Sequence, residues 1–247
     1  MCTVVFIPGR EEYYFASLRD EDTERARATE PELYKEGNLQ YLAPKDGLAG
    51  GTWIGINEMQ HVIILLNGAF EKHSAGNHYR KSRGLIVTEL LVSVTPVIDW
   101  HGMDLKQIEP FTLIVWSGGE LFQLVWDGER KKQIRPDAHT AHIWSSSTLY
   151  NTEARANREK RFQQWITKKP AVSMESLLSF FLSEADTENG FIINRNEKVK
   201  TLSYSFMTIT QPGSGLMQYY DFMQNKVSTK EIMTVTKESR FMVSDSL

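Results

Sequence analysis

Runs of alternating apolar and polar residues, cut by tight turns, dominate this chain. Residues 3–7 form a β-branched and aromatic run, Pro8-Gly9 interrupts it, and residues 13–17 resume it, which predicts a hairpin. Arg19-Asp20-Glu21-Asp22 then opens a polar connection as far as Glu36, read as an irregular loop because Thr29-Glu30-Pro31 breaks helical continuity. A second hairpin is predicted from residues 50–56 and 61–66 around Asn57-Glu58-Met59-Gln60, and a third from residues 111–117 and 120–127 around Gly118-Gly119. Later strands are predicted at residues 202–210 and 217–222, joined through Pro212-Gly213-Ser214-Gly215, and around residues 232–235. Apolar residues at helical spacing predict helices at residues 85–94, stopping before Pro96, and at residues 152–168 and 173–184.

Strands joined by tight turns run antiparallel, which disfavours a parallel βαβ fold. Hairpins interrupted by grouped helices predict one α+β domain over residues 1–247, with sheets and helices in layers and no linker or repeat dividing it. The formal charge of −3 gives no overall attraction for nucleic acid or an anionic membrane. The basic clusters, including Arg155/Arg158/Lys160/Arg161, are interspersed with acids and read as solvated faces. The longest apolar stretch, near residues 85–97, contains Thr88, Glu89, Ser93 and Thr95 and falls short of a membrane span. The opening lacks the pattern of a secretory signal, and a single cysteine cannot form an internal disulfide, so a cytoplasmic location is expected.

That cysteine is Cys2, directly after Met1. Removal of Met1 would place a thiol and an α-amine on one terminal residue, with pKa values of about 8.5 and roughly 7.7–8.0, so the amine can accept the thiol proton near neutrality. Arg19-Asp20-Glu21 reads either as a surface charge run or as a site element, since a hairpin returns it beside the start of the first strand. An arginine there favours thiolate, and an aspartate can hold the terminal amine. Gly51 and Trp53 lie in a glycine-rich strand suited to close approach by a ligand, and Trp144 lies in a second block of interest. Asn67 closes the second hairpin, either as a turn residue or as a donor to an oxyanion. The six histidines are scattered; His139 and His142 would face opposite ways in an extended segment, and neither a metal site nor a phosphate loop is read.

Together, Met1-Cys2-Thr3, Arg19-Asp20-Glu21 and Gly50-Gly51-Thr52-Trp53-Ile54-Gly55-Ile56-Asn57 resemble the NRDE proteins, also called the transport and Golgi organisation protein two family. The naming tetrapeptide falls on Leu18-Arg19-Asp20-Glu21; Leu65-Leu66-Asn67, Ser82-Arg83-Gly84 and His142-Ile143-Trp144-Ser145-Ser146 are similar to later family segments. That family looks in turn like the cysteine N-terminal-nucleophile hydrolases of the penicillin V acylase and bile salt hydrolase group. The resemblance implies a four-layer α-β-β-α sandwich of two antiparallel sheets. It implies Cys2 as nucleophile and amine base, Arg19 and Asp20 as electrostatic partners, and Asn67 as an oxyanion donor. Leu18 stands where the tetrapeptide has asparagine, and Ser146 where a second oxyanion asparagine is expected. Thr201-Leu202-Ser203 offers no counterpart of the late arginine of the hydrolase relatives, and Lys200 is only a candidate for it.

The implied activity is hydrolysis of the carbon–nitrogen bond of a small amide, without a cofactor. The expected partner is a small-molecule substrate; homo-oligomer formation is left open. The alternative, carried by Leu18 and Ser146, is a non-catalytic binding or carrier protein on the same fold, associated in eukaryotic relatives with trafficking or haem handling.

Overall fold

The computed structural model describes residues 3–72, 79–183, 186–210 and 213–235. The first strands are β1 (Thr3–Pro8), β2 (Glu12–Asp22), β3 (Glu32–Glu36), β4 (Leu39–Ala43), β5 (Ile54–Asn57) and β6 (Val62–Asn67). Two helices follow, α1 (Arg83–Leu91) and α2 (Pro96–Gly102), then β7 (Phe111–Ser117), β8 (Glu120–Trp126), β9 (Lys131–Ile134) and β10 (His142–Ser145). The chain continues through α3 (Thr152–Ile166), α4 (Met174–Leu182), β11 (Asn194–Arg195), β12 (Val199–Thr210), β13 (Ser214–Asp221) and β14 (Lys226–Met233). Every strand pairing is antiparallel.

One sheet runs β10-β1-β2-β12-β13-β14, with β11 on β12; the other is a meander from β3 to β9. Alternation along β1 and β2 sorts their residues between two cores. Val4, Phe6 and Phe15 face the other sheet and pack with Trp116 and Met207, while Val5, Ile7, Ala16 and Leu18 face Phe162, Leu177 and Phe181 of α3 and α4. On the far side of the meander, Leu90 and Trp100 bury α1 and α2. The layers are therefore helices, sheet, sheet, helices. Asn151 caps α3 by accepting from the Ala154 N–H, and Ser173 with Ser176 forms a reciprocal cap on α4.

Two departures from the sequence reading matter. Residues 19–22 belong to β2, whose ladder with β12 continues through Asp22. Their charges suggested a loop, yet Arg19 and Asp20 are buried beside polar partners, which a hydropathy pattern does not reveal. The supposed irregular connection also contains β3, an almost fully exposed edge strand rich in charge. Charged edge strands resist unwanted pairing, and their polarity removes the alternation by which strands are recognised. The same cause hid most of β14.

Candidate active site

Thr3 lies between Leu18 of β2 and Ser145 of β10 in the sheet register. Arg158 of α3 anchors this point. Its Nε donates to Ser145 Oγ at 2.9 Å, Nη2 donates to Thr3 Oγ1, and Nη1 donates to the carbonyls of Asn189 and Gly190. The guanidinium is sandwiched by Tyr150 and Phe191, 4.0 and 4.6 Å from their ring centres. Arg158 belongs to a cluster expected to be solvated, but it is 2% exposed. Burial of one arginine in an otherwise charged helix left no trace in the spacing. Cys2, the residue before Thr3, lies outside the described residues.

Arg19 and Asp20 are consecutive on a strand, so they leave it on opposite faces. Arg19 turns between the sheets. Its Nη2 donates to Asp46 Oδ2 at 2.8 Å, and its guanidinium stands 4.7 Å from the Trp53 ring centre. Asp46 also receives Arg25 Nε and Nη2 at 2.8 and 2.9 Å and the Ala49 N–H at 2.8 Å. Burial alone would raise its carboxyl pKa, but these hydrogen bonds and the charges of Arg25 and Arg19 hold it at about 2. Asp20 turns toward the helical layer, where its Oδ1 accepts from Thr201 Oγ1 at 2.6 Å and its Oδ2 from the Tyr150 hydroxyl at 3.1 Å.

Arg19, Gly51, Trp53 and Asn67 line one cavity of about 140 Å³, together with Asp46 and Arg83. Burial lowers the Arg83 guanidinium pKa, although Glu109 lies 2.9 Å away. Trp53 is 2% exposed and its Nε1 finds no acceptor among the described residues. Gly51 is required by crowding: a Cβ there would meet the Gly84 carbonyl oxygen at 2.7 Å and the Leu85 nitrogen at 2.6 Å. A second cavity of about 210 Å³ shares Asn67 and is lined by Trp144, Ser146 and Arg155. Ser146 Oγ donates to the Asn67 carbonyl at 2.7 Å, so this hydroxyl fixes the end of β6. Lys200 is paired with Glu197 at the surface. Among the described residues no group of three or more His, Asp or Glu side chains could hold a metal ion.

The model of the family described as Transport and Golgi organisation 2 matches residues 1–238. The chain belongs to that family. No curated protein matches it by sequence. Its fold is similar to a cysteine-to-alanine mutant of conjugated bile acid hydrolase from Clostridium perfringens, with a TM-score of 0.57 and 10% identity over 97% of this chain and 98% of that one. An arginine-to-leucine variant of that hydrolase gives 0.58 and 10% over 96% and 98%. The Caenorhabditis elegans ortholog of N-acylethanolamine-hydrolyzing acid amidase gives 0.54 and 11% over 85% and 100%. At these identities the likeness concerns the fold alone, which is similar to that of these two hydrolases.

Within this family member, Asp46, Tyr150, Arg158 and Thr201 support the candidate site without having been singled out from sequence. Each acts across a long separation in the chain, 27 residues for Arg19 with Asp46 and 181 for Thr201 with Asp20. No local pattern encodes such pairs. No helix among the described residues is long and apolar enough to cross a membrane.

Proposed function

We propose that this protein is an N-terminal-nucleophile cysteine hydrolase that cleaves the amide bond of a small molecule. Cys2, exposed by removal of Met1, supplies the thiol, and its α-amine supplies the base. The thiol proton passes to the amine as sulfur attacks the carbonyl carbon. Collapse of the tetrahedral adduct breaks the carbon–nitrogen bond, the amine product leaves with that proton, and a thioester remains. Water then adds with the α-amine again taking the proton, which releases a carboxylic acid and regenerates the thiol. Asn67 donates to the oxyanion, Arg19 shapes the electrostatics of its cavity, and Asp20 holds the amine. Gly51, Trp53 and Trp144 contact substrate.

One observation carries the proposal: Arg19 and Asn67, from different sheets, line one cavity, while Thr3 is pinned between the strand that bears Arg19 and the strand that leads to Ser146. Intact mass should show Met1 absent, and a serine-type β-lactone should add once, at Cys2, with no addition to Cys2→Ala. Retention of Met1, or addition no faster than to a free cysteine peptide, would overturn the proposal. The Ser146 hydroxyl favours a second reading, because its proton is committed to the Asn67 carbonyl and is not offered to an oxyanion. A carrier of an apolar ligand such as haem would then show a Soret band on incubation and no lactone adduct.

A further inference from the structure

Arg155 makes no ion pair among the described residues, although Glu159, one helical turn further along α3, lines the same cavity. Arg155 stands in the first turn of α3, where the positive end of the peptide dipoles disfavours a cation, so helix stability does not account for it. Its one hydrogen bond is a long donation from Nη2 to Thr152 Oγ1 at 3.4 Å. Its Nε is buried and unpartnered. Arg155 lines the 210 Å³ cavity that also holds Asn67, Ser146 and Trp144, with Phe70 at its exposed rim.

We propose that Arg155 binds a carboxylate on the substrate, and that Trp144 and Phe70 receive a flat apolar group beside it. The two terminal nitrogens of a guanidinium can each donate to an oxygen of a carboxylate. The charge of the lining favours a monoanion over a phosphate: among the described residues Arg155 is its one cation and Glu159 its one carboxylate, and Lys132 stands 4.8 Å from the Phe70 ring centre. That the bound molecule is a substrate rests on the hydrolase reading, but the binding itself does not require turnover.

Isothermal titration of the full chain with 2-naphthoate, 2-naphthamide and 2-naphthyl phosphate tests this without hydrolysis. The carboxylate should bind about tenfold more tightly than the neutral amide, a typical return for a charge-assisted pair. Arg155→Gln should abolish that preference and leave the amide unchanged, Arg155→Lys should keep part of it, and Trp144→Ala should weaken both ligands. Equal binding of carboxylate and amide, a preference that survives Arg155→Gln, or tighter binding of the phosphate would overturn the assignment. Lactone labelling of Cys2 with no carboxylate preference would refute this site alone; carboxylate binding without labelling would refute the hydrolase alone.

Discussion

Replacing Asp46 by asparagine keeps the shape of the side chain and removes the acceptor that two arginines share. Arg19 is 3% exposed and cannot turn to water. In Asp46→Asn one amide oxygen can still accept from Ala49, but the amide nitrogen then faces Arg19 and Arg25, donor against donor. The carboxyl pKa falls from 3.8 to about 2 on folding, which at about 1.4 kcal/mol per unit corresponds to about 2.5 kcal/mol. Glu21 Oε2 stays 3.7 Å from Arg19 and 3.6 Å from Arg25, so neither arginine is fully stranded, and a loss of about 2–3 kcal/mol at pH 7 is expected, below the roughly 3–5 kcal/mol of a broken buried pair. A carboxylate with a depressed folded pKa contributes fully above its unfolded value and loses that contribution as pH falls through the folded one. The gap between wild type and variant should therefore be complete above about pH 5, roughly halved at pH 3, and nearly closed at pH 2. Urea unfolding followed by tryptophan fluorescence and circular dichroism at pH 7 and pH 3 measures it. A gap below about 1 kcal/mol at pH 7, or the same gap at both pH values, would refute the reasoning.

Ser146→Ala removes the donor to the Asn67 carbonyl, so urea unfolding should show a loss of about 1 kcal/mol; on the hydrolase reading, lactone addition to Cys2 should slow about tenfold while the chain stays folded. Gly51→Ala places a methyl group against the backbone of Gly84 and Leu85, and thermal unfolding should show a loss of about 1–3 kcal/mol, with the cavity beside Trp53 distorted.

Legibility in the sequence followed burial together with turn signals, since the buried but short β4 had no predicted counterpart. The hairpins around Pro8-Gly9, residues 57–60 and Gly118-Gly119 were readable because each flanking strand buries an apolar face and each turn carries residues suited to it. β3 and most of β14 were not, because edge strands exposed on both faces carry no alternation. At the candidate site, Arg19, Asp20, Gly51, Trp53 and Asn67 were marked by local motifs. Their supports, Asp46, Tyr150, Arg158 and Thr201, come from distant segments and become meaningful only once the sheets pair.

The motif Arg19-Asp20 looks like one unit in sequence, yet the strand divides it between two layers of the molecule. Arg19 enters the inter-sheet cavity within a cluster of two cations and two anions, with Arg25, Asp46 and Glu21, so it presents a neutralised group and not a free cation. Asp20 faces the helical layer, where Tyr150 and Thr201 each give it a hydroxyl proton. Two consecutive residues with opposite orientations cannot serve one atom by side-chain contact from the same side. A nucleophile that carries thiol and amine on one residue removes the difficulty, because the thiol can be addressed from one face and the main-chain amine from the other. On the proposed chemistry, Arg19 then contributes mainly through the shape and polarity of the substrate cavity, and proton transfer falls to the amine that Asp20 orients. On that reading an arginine neutralised by Asp46 and Glu21 can still belong to the proposed site.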